Sequence, residues 1–133
     1  LCLAETASAT AKAPIRIDER LVELDFGQAE GLTWSEIEER GIPFDYRLLD
    51  SPVAPGGESR ADIQARSVSV ADELVTTASR HAVCTHGGVF RAMLVHLLGL
   101  SRTDIWAFHI HNGSVAEIRV TDGHGTIEEF VAL

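Results

Sequence analysis

The stretch HAVCTHGGVFRAML, residues 81–94, constrains this chain more than any other. A short apolar run ends in His-Gly-Gly, and a helical pattern starts at once. The run HAVCT (81–85) reads as a buried parallel strand. VFRAMLVHLLGL (89–100) is apolar nearly all round, so it reads as a well-buried helix that ends near Gly99. Glycines just after a strand allow a tight turn and the close approach of a ligand to the backbone. The helix that follows presents free N–H groups and the positive end of its dipole, a setting that suits phosphate. An imidazole at the strand end, His86, can donate to a phosphoryl oxygen or stabilise charge that builds there. From these residues alone, a structural histidine in a tight turn and an anion cradle both stay open.

The rest of the chain gives that junction a setting. Residues 4–13 are alanine-rich and read as the tail of a helix stopped by Pro14. IRI (15–17) alternates like a short strand, and ERLVELDFGQAEG (19–31) reads as strand then loop. Thr33 and Glu36 have the spacing of a capping box for the helix WSEIEERG, and Gly41 suits the left-handed position at its end. Residues 41–58 are loop-like and long enough to suggest a binding loop. Ser59, with Asp62 three residues on, reads as the cap of the longest helix. Its apolar stripe is Ile63, Val70, Leu74 and Ala78. Trp106, Phe108 and Ile110 alternate at strand period, Asn112-Gly113 signals a hairpin, and the tail returns through the turn DGHG. The order predicts one α/β domain over residues 1–133, with a mixed sheet.

Three further groups carry chemistry. Glu23 stands at a strand-to-loop junction beside Leu24 and Phe26, where a partly desolvated carboxylic acid can hold a proton for a leaving group. A surface carboxylate is the bland alternative. Gly57, Glu58 and Ser59 offer backbone donors and a hydroxyl, or simply a loop and a helix cap. His109 and His111 share a strand face and could chelate a metal, with His86 able in principle to join them, yet no carboxylate or cysteine completes a recognised spacing. Arg91 lies one turn into the buried helix, where it can reach an anion, pair with a carboxylate or cover packing with its stem.

Charge narrows the partners. The formal net charge is −9, which repels nucleic acid and anionic membranes. An anionic substrate then needs a local positive site. Cys2 and Cys84 lack metal spacing and read as free thiols of a reducing, cytoplasmic compartment. No apolar run approaches bilayer length.

Taken in order, RLVELDFGQAEGLTWSEI, PGGES, a long helix and HAVCTHGGVFRAML resemble the histidine phosphatase superfamily, also called phosphoglycerate mutase-like. Within it the chain is most similar to alpha-ribazole phosphatases and broad-specificity phosphatases. The resemblance runs from about Glu5 to the end, and IWAFHIHNGSVAEI fits the strand pair after the His-Gly-Gly helix. It implies a three-layer α/β/α fold with a mostly parallel mixed sheet. It also implies a phosphatase that forms a phosphohistidine intermediate on a small phosphorylated metabolite, with no metal or organic cofactor. Glu23, in E-x-x-x-G-x-x-E-G with Gly27, Glu30 and Gly31, matches the proton donor. His86 matches the second active-site histidine, and Gly87 the backbone N–H beside it. Gly57, Glu58 and Ser59 match the loop that lines the substrate pocket.

The chain departs from that pattern at its start. No Arg-His-Gly triplet, the family's nucleophile motif, occurs in it, and ETA at Glu5–Ala7 lacks its upstream arginine. With Leu1 rather than Met in first place, the expectation is a chain without its N-terminal central strand and first helix. Its nucleophile then lies upstream, and the 133 residues alone are inactive. Unpaired strand edges then leave it poorly stable or buried in a homo-oligomer. The alternative is a non-catalytic homologue that binds a phosphorylated ligand or a protein partner. A histidine-rich metal-binding domain is the third reading. The short 41–59 excursion favours a phosphatase over a mutase.

Overall fold

The computed structural model describes residues 15–77 and 79–132. The expected helix at 4–13, Cys2, the ETA segment and Ala78 of the apolar stripe lie outside them. Three α-helices and one β-hairpin form the described fold: α1 (Trp34–Glu39), α2 (Arg60–Val75), α3 (Gly87–Leu97), β1 (Val115–Thr121) and β2 (His124–Val131). Single turns of 3-10 helix occur at Glu19–Leu21, Gly27–Ala29 and Asp104–Ala107.

Local chemistry sets the helix ends where the sequence places them. At α1 the Glu36 N–H donates to Thr33 Oγ1 at 3.3 Å, and the Thr33 N–H donates to Glu36 Oε2 at 2.8 Å. At α2 the Asp62 N–H donates to Ser59 Oγ at 3.1 Å, and the Ser59 N–H donates to Asp62 Oδ2 at 2.9 Å. Each pair satisfies two backbone donors that a bare helix start leaves free. Gly41 takes a φ of +64° just past α1, as a left-handed terminator must.

The core lies between α2 and α3 and extends under the two loops before α2. Ile63 and Ala71 of α2 meet Val89 and Met93 of α3, together with Leu24 and Val53 from the loops. A second cluster, Ala29, Ile37 and Ala54, seals the loops against α1. The hairpin turns at Asp122-Gly123, both at positive φ (52° and 79°), the geometry that matches strand twist in a two-residue turn. It closes on the end of α3, where a Cβ on Gly125 would strike the Leu97 carbonyl.

Several expected strands take other forms. Residues 81–85 are not in a ladder and form no backbone hydrogen bond to other described residues. Ala82, Val83 and Cys84 are exposed. A strand needs a partner, and the described residues place none beside this run, so no parallel pair forms. IRI (15–17) is likewise unpaired, and 19–31 is built from 3-10 turns and extended links. Residues 104–107 form a 3-10 turn that buries Ile105, so the Trp106-Phe108-Ile110 alternation marks no strand. Three alternating apolar residues are too few to separate the two forms. Asn112-Gly113 makes the turn that leads into β1, with the Ser114 N–H donating to the His111 carbonyl at 3.1 Å.

Candidate active site

Glu23 and the His86-Gly87-Gly88 junction meet. His86 is the N-cap of α3, and its carbonyl accepts the first helical hydrogen bond, from the Phe90 N–H, at 2.8 Å. Its imidazole is exposed and makes no capping bond. The Gly88 N–H donates to Glu23 Oε2 at 3.3 Å, and the Leu24 N–H donates to Glu23 Oε1 at 2.9 Å. A Cβ on Gly88 would collide with Glu23 Oε1 and come within 3.1 Å of Ile63 Cδ1. Gly88 is therefore what lets a carboxylate lie against the start of α3. A carboxyl group, an imidazole and a helix N-terminus share one corner.

Two neighbouring segments set that corner. Thr85 Oγ1 donates to the Leu21 carbonyl at 2.7 Å and ties the two chain segments together. Behind Glu23 stands Arg66 of α2. Its guanidinium donates to the carbonyls of Arg20, Val22 and Glu23 at 2.8, 2.6 and 3.0 Å. The same group grips both Glu58 carboxylate oxygens at 2.9 Å. Arg66 holds the Glu58 carboxyl below its usual range, against the opposing effect of partial burial. The Glu58 side chain also accepts from the Asp25 N–H at 3.1 Å.

The PGGES loop therefore supports the Glu23 segment from behind. The Gly57 N–H donates to Ala54, the Glu58 N–H to Asp25, and the Ser59 hydroxyl to Asp62 at 2.6 Å. Gly57 and Gly27 cross backbone to backbone, with no room for a Cβ on either. The donors expected to face a ligand are engaged within the fold. Sequence reasoning missed Arg66, because its backbone partners lie 43 to 46 residues away.

A second group faces the same corner. Trp106 packs on Tyr46 with ring centroids 5.3 Å apart, and two guanidiniums, Arg60 and Arg91, lie 5.9 and 5.7 Å from the Trp106 ring centroid. Arg91 also donates to the Gly87 carbonyl at 3.2 Å. Burial pushes the Tyr46 phenol up, and the Glu23 charge adds to that while Arg91 and Arg60 oppose it. His109 and His111 sit ring to ring at 4.4 Å, but no group of three potential metal ligands assembles among the described residues.

Comparison with known proteins adds an independent line. Residues 3–132 match the model of the histidine phosphatase superfamily (branch 1). A glucosyl-3-phosphoglycerate phosphatase of Mycolicibacterium vanbaalenii is 37% identical over 105 residues, which is 70% of this chain and 46% of that protein. A mycobacterial glucosyl-3-phosphoglycerate phosphatase solved with VO3 superposes with a TM-score of 0.79 at 26% identity, over 98% of this chain and 69% of that one. The alpha-ribazole phosphatase of Shigella flexneri shares the fold, with a TM-score of 0.78 at 17% identity over 96% of this chain and 68% of that one. The chain spans about half the length of the curated relatives it matches.

Proposed function

The chain belongs to the histidine phosphatase superfamily, and from that premise we propose that it serves a phosphomonoesterase acting on a small phosphorylated metabolite. Relatives that carry phosphatase names support the reaction class. The observation that carries the reading is the Gly88 N–H donating to Glu23 Oε2 directly after His86. That contact sets a carboxyl group against a helix N-terminus, next in the chain to an exposed histidine, which supports the reading.

In this reading the phosphoryl group rests before α3, against His86 and the Gly87 N–H. A histidine nitrogen attacks phosphorus, the bond to the leaving oxygen breaks, and Glu23 gives that oxygen a proton. Water then attacks the phosphohistidine and returns a proton to Glu23. Inorganic phosphate leaves, and the histidine is restored. His86 is not the nucleophile. No Arg-His-Gly occurs in residues 1–133, so the nucleophile belongs to protein outside them. Glu58 acts by bracing the Glu23 segment through Asp25, Gly57 by its close backbone crossing with Gly27, and Ser59 by capping α2. The same reading places 81–85 in a mostly parallel sheet of a three-layer domain, paired by chain outside the described residues.

The test is hydrolysis of phenyl phosphate by the protein expressed from its complete gene. Activity with an acid-labile phosphoenzyme is expected, and His86→Ala should lower kcat about 100-fold or more. If His86→Ala and Glu23→Gln both kept the full rate, neither residue would have the role proposed for it. A folded protein that binds phosphate but hydrolyses nothing would instead be a non-catalytic homologue.

A further inference from the structure

Glu23 sits on chain that no ladder holds. It belongs to no helix or strand, and the carbonyls of Val22 and Glu23 accept no backbone N–H among the described residues. One side chain from α2 takes them instead. Arg66 Nη1 donates to the carbonyls of Arg20 and Val22, and Nη2 donates to that of Glu23. The other two N–H groups, on Nε and Nη2, meet the two carboxylate oxygens of Glu58. A guanidinium has five N–H donors, and each finds its own acceptor here. Glu58 Oε2 continues the line by accepting the Asp25 N–H at 3.1 Å. The main chain is therefore gripped on both sides of Glu23.

The bond from Arg66 to Glu23 goes to the main chain, not to the carboxyl group. The carboxyl itself rests on two N–H groups, those of Leu24 and Gly88. Its aim follows from where the backbone of Glu23 stands, and Arg66 sets that. The Arg66–Glu58 pair is mostly shielded from solvent, and its two-point contact fixes orientation as well as distance. A lysine, with three donors on a point charge, cannot fill the same fork.

We propose that Arg66, braced by Glu58, is the positioning residue for the proton donor: it fixes the main chain at Glu23 so that the carboxyl faces the leaving oxygen beside α3. The inference deepens the reading of Glu23 as proton donor and rests on it. A misplacement on the order of 1 Å is enough to cost ~100-fold in such a step. Because the effect runs through one proton, it should appear only where the leaving group needs that proton.

The experiment uses the protein expressed from its complete gene, with phenyl phosphate and 2,4-dinitrophenyl phosphate as substrates and rates taken per folded molecule. Arg66→Met should lower kcat/KM on phenyl phosphate roughly 10- to 100-fold and on the dinitrophenyl ester by less than about threefold. In a Glu23→Gln background the same substitution should cost less than about threefold on either ester, because two residues that act through one proton transfer are not additive. If Arg66→Met fails to fold, Arg66→Lys and Glu58→Gln carry the same comparison, with losses of about three- to tenfold confined to phenyl phosphate. Thr85 ties Leu21 to the chain before His86, so a merely structural disturbance would reach His86 and slow both esters alike. An equal loss on both esters would overturn the positioning role. So would a full rate in the folded variants, or a loss that multiplies undiminished onto Glu23→Gln. If Glu23→Gln itself slowed both esters equally, or the wild type hydrolysed neither, the reading of Glu23 would fall and the role of Arg66 with it.

Discussion

Gly88 and Tyr46 make the site testable one residue at a time. A methyl at position 88 meets Glu23 Oε1, the end of a flexible side chain, and Ile63 Cδ1. The fold can yield there, but the carboxyl cannot stay where it is. Gly88→Ala should therefore lower kcat roughly 10- to 100-fold and shift the melting temperature by only a few degrees. A large loss of Tm with full activity in the remaining folded protein would contradict this. Tyr46 is the one tyrosine, so phenolate absorbance reports it alone. Its titration should lie above the ordinary value of about 10. Glu23→Gln removes a negative charge that disfavours the phenolate, so the midpoint should fall, though not fully, because burial is the larger cause. An unmoved midpoint would separate Glu23 from Tyr46.

At the scale of elements, Arg66 links α2, the Glu23 segment and Glu58. The Glu58 carboxyl has its folded pKa below the unfolded one. Its contribution to stability is thus complete above the unfolded value of about 4.3 and is lost as pH falls through the folded value. Arg66→Met should lower stability at neutral pH and flatten its decline on acidification, as read from denaturant unfolding at a series of pH values. An unchanged acid slope would show that the Arg66–Glu58 pair does not govern acid stability. The elements also show what sequence makes legible. Capping boxes at Thr33–Glu36 and Ser59–Asp62 join residues three apart, so local pattern reveals them. The His-Gly-Gly start of α3 is equally local. Arg66 is silent in the sequence because what it grips is defined only by the folded path of distant chain. The run 81–85 carries no assigned element, since strand identity depends on a neighbour that no local pattern supplies.

The whole molecule carries the cost of those unpaired runs. Ile17 is 76% exposed, and Ile15, Val22 and Val83 are also open to solvent. Apolar side chains open to solvent, on runs with no ladder partner among the described residues, favour association. The 133-residue chain is expected to elute as a dimer or larger species that dissociates on dilution, as checked by light scattering. A cooperative melt of a dilute monomer would argue against this. The family and the Glu23–His86 corner are legible because their motifs are short and ordered along the chain. The Arg60–Arg91–Trp106 group is not, since only folding brings residues 60, 91 and 106 to one ring. The proposed chemistry turns on Glu23 delivering a proton to the leaving oxygen beside α3. Its sharpest test compares wild type with Glu23→Gln on phenyl phosphate and on 2,4-dinitrophenyl phosphate, whose phenolate leaves without protonation. With Glu23 as the proton donor, kcat/KM should fall about 100-fold or more on the first ester and only a few-fold on the second. An equal fall on both would contradict that role.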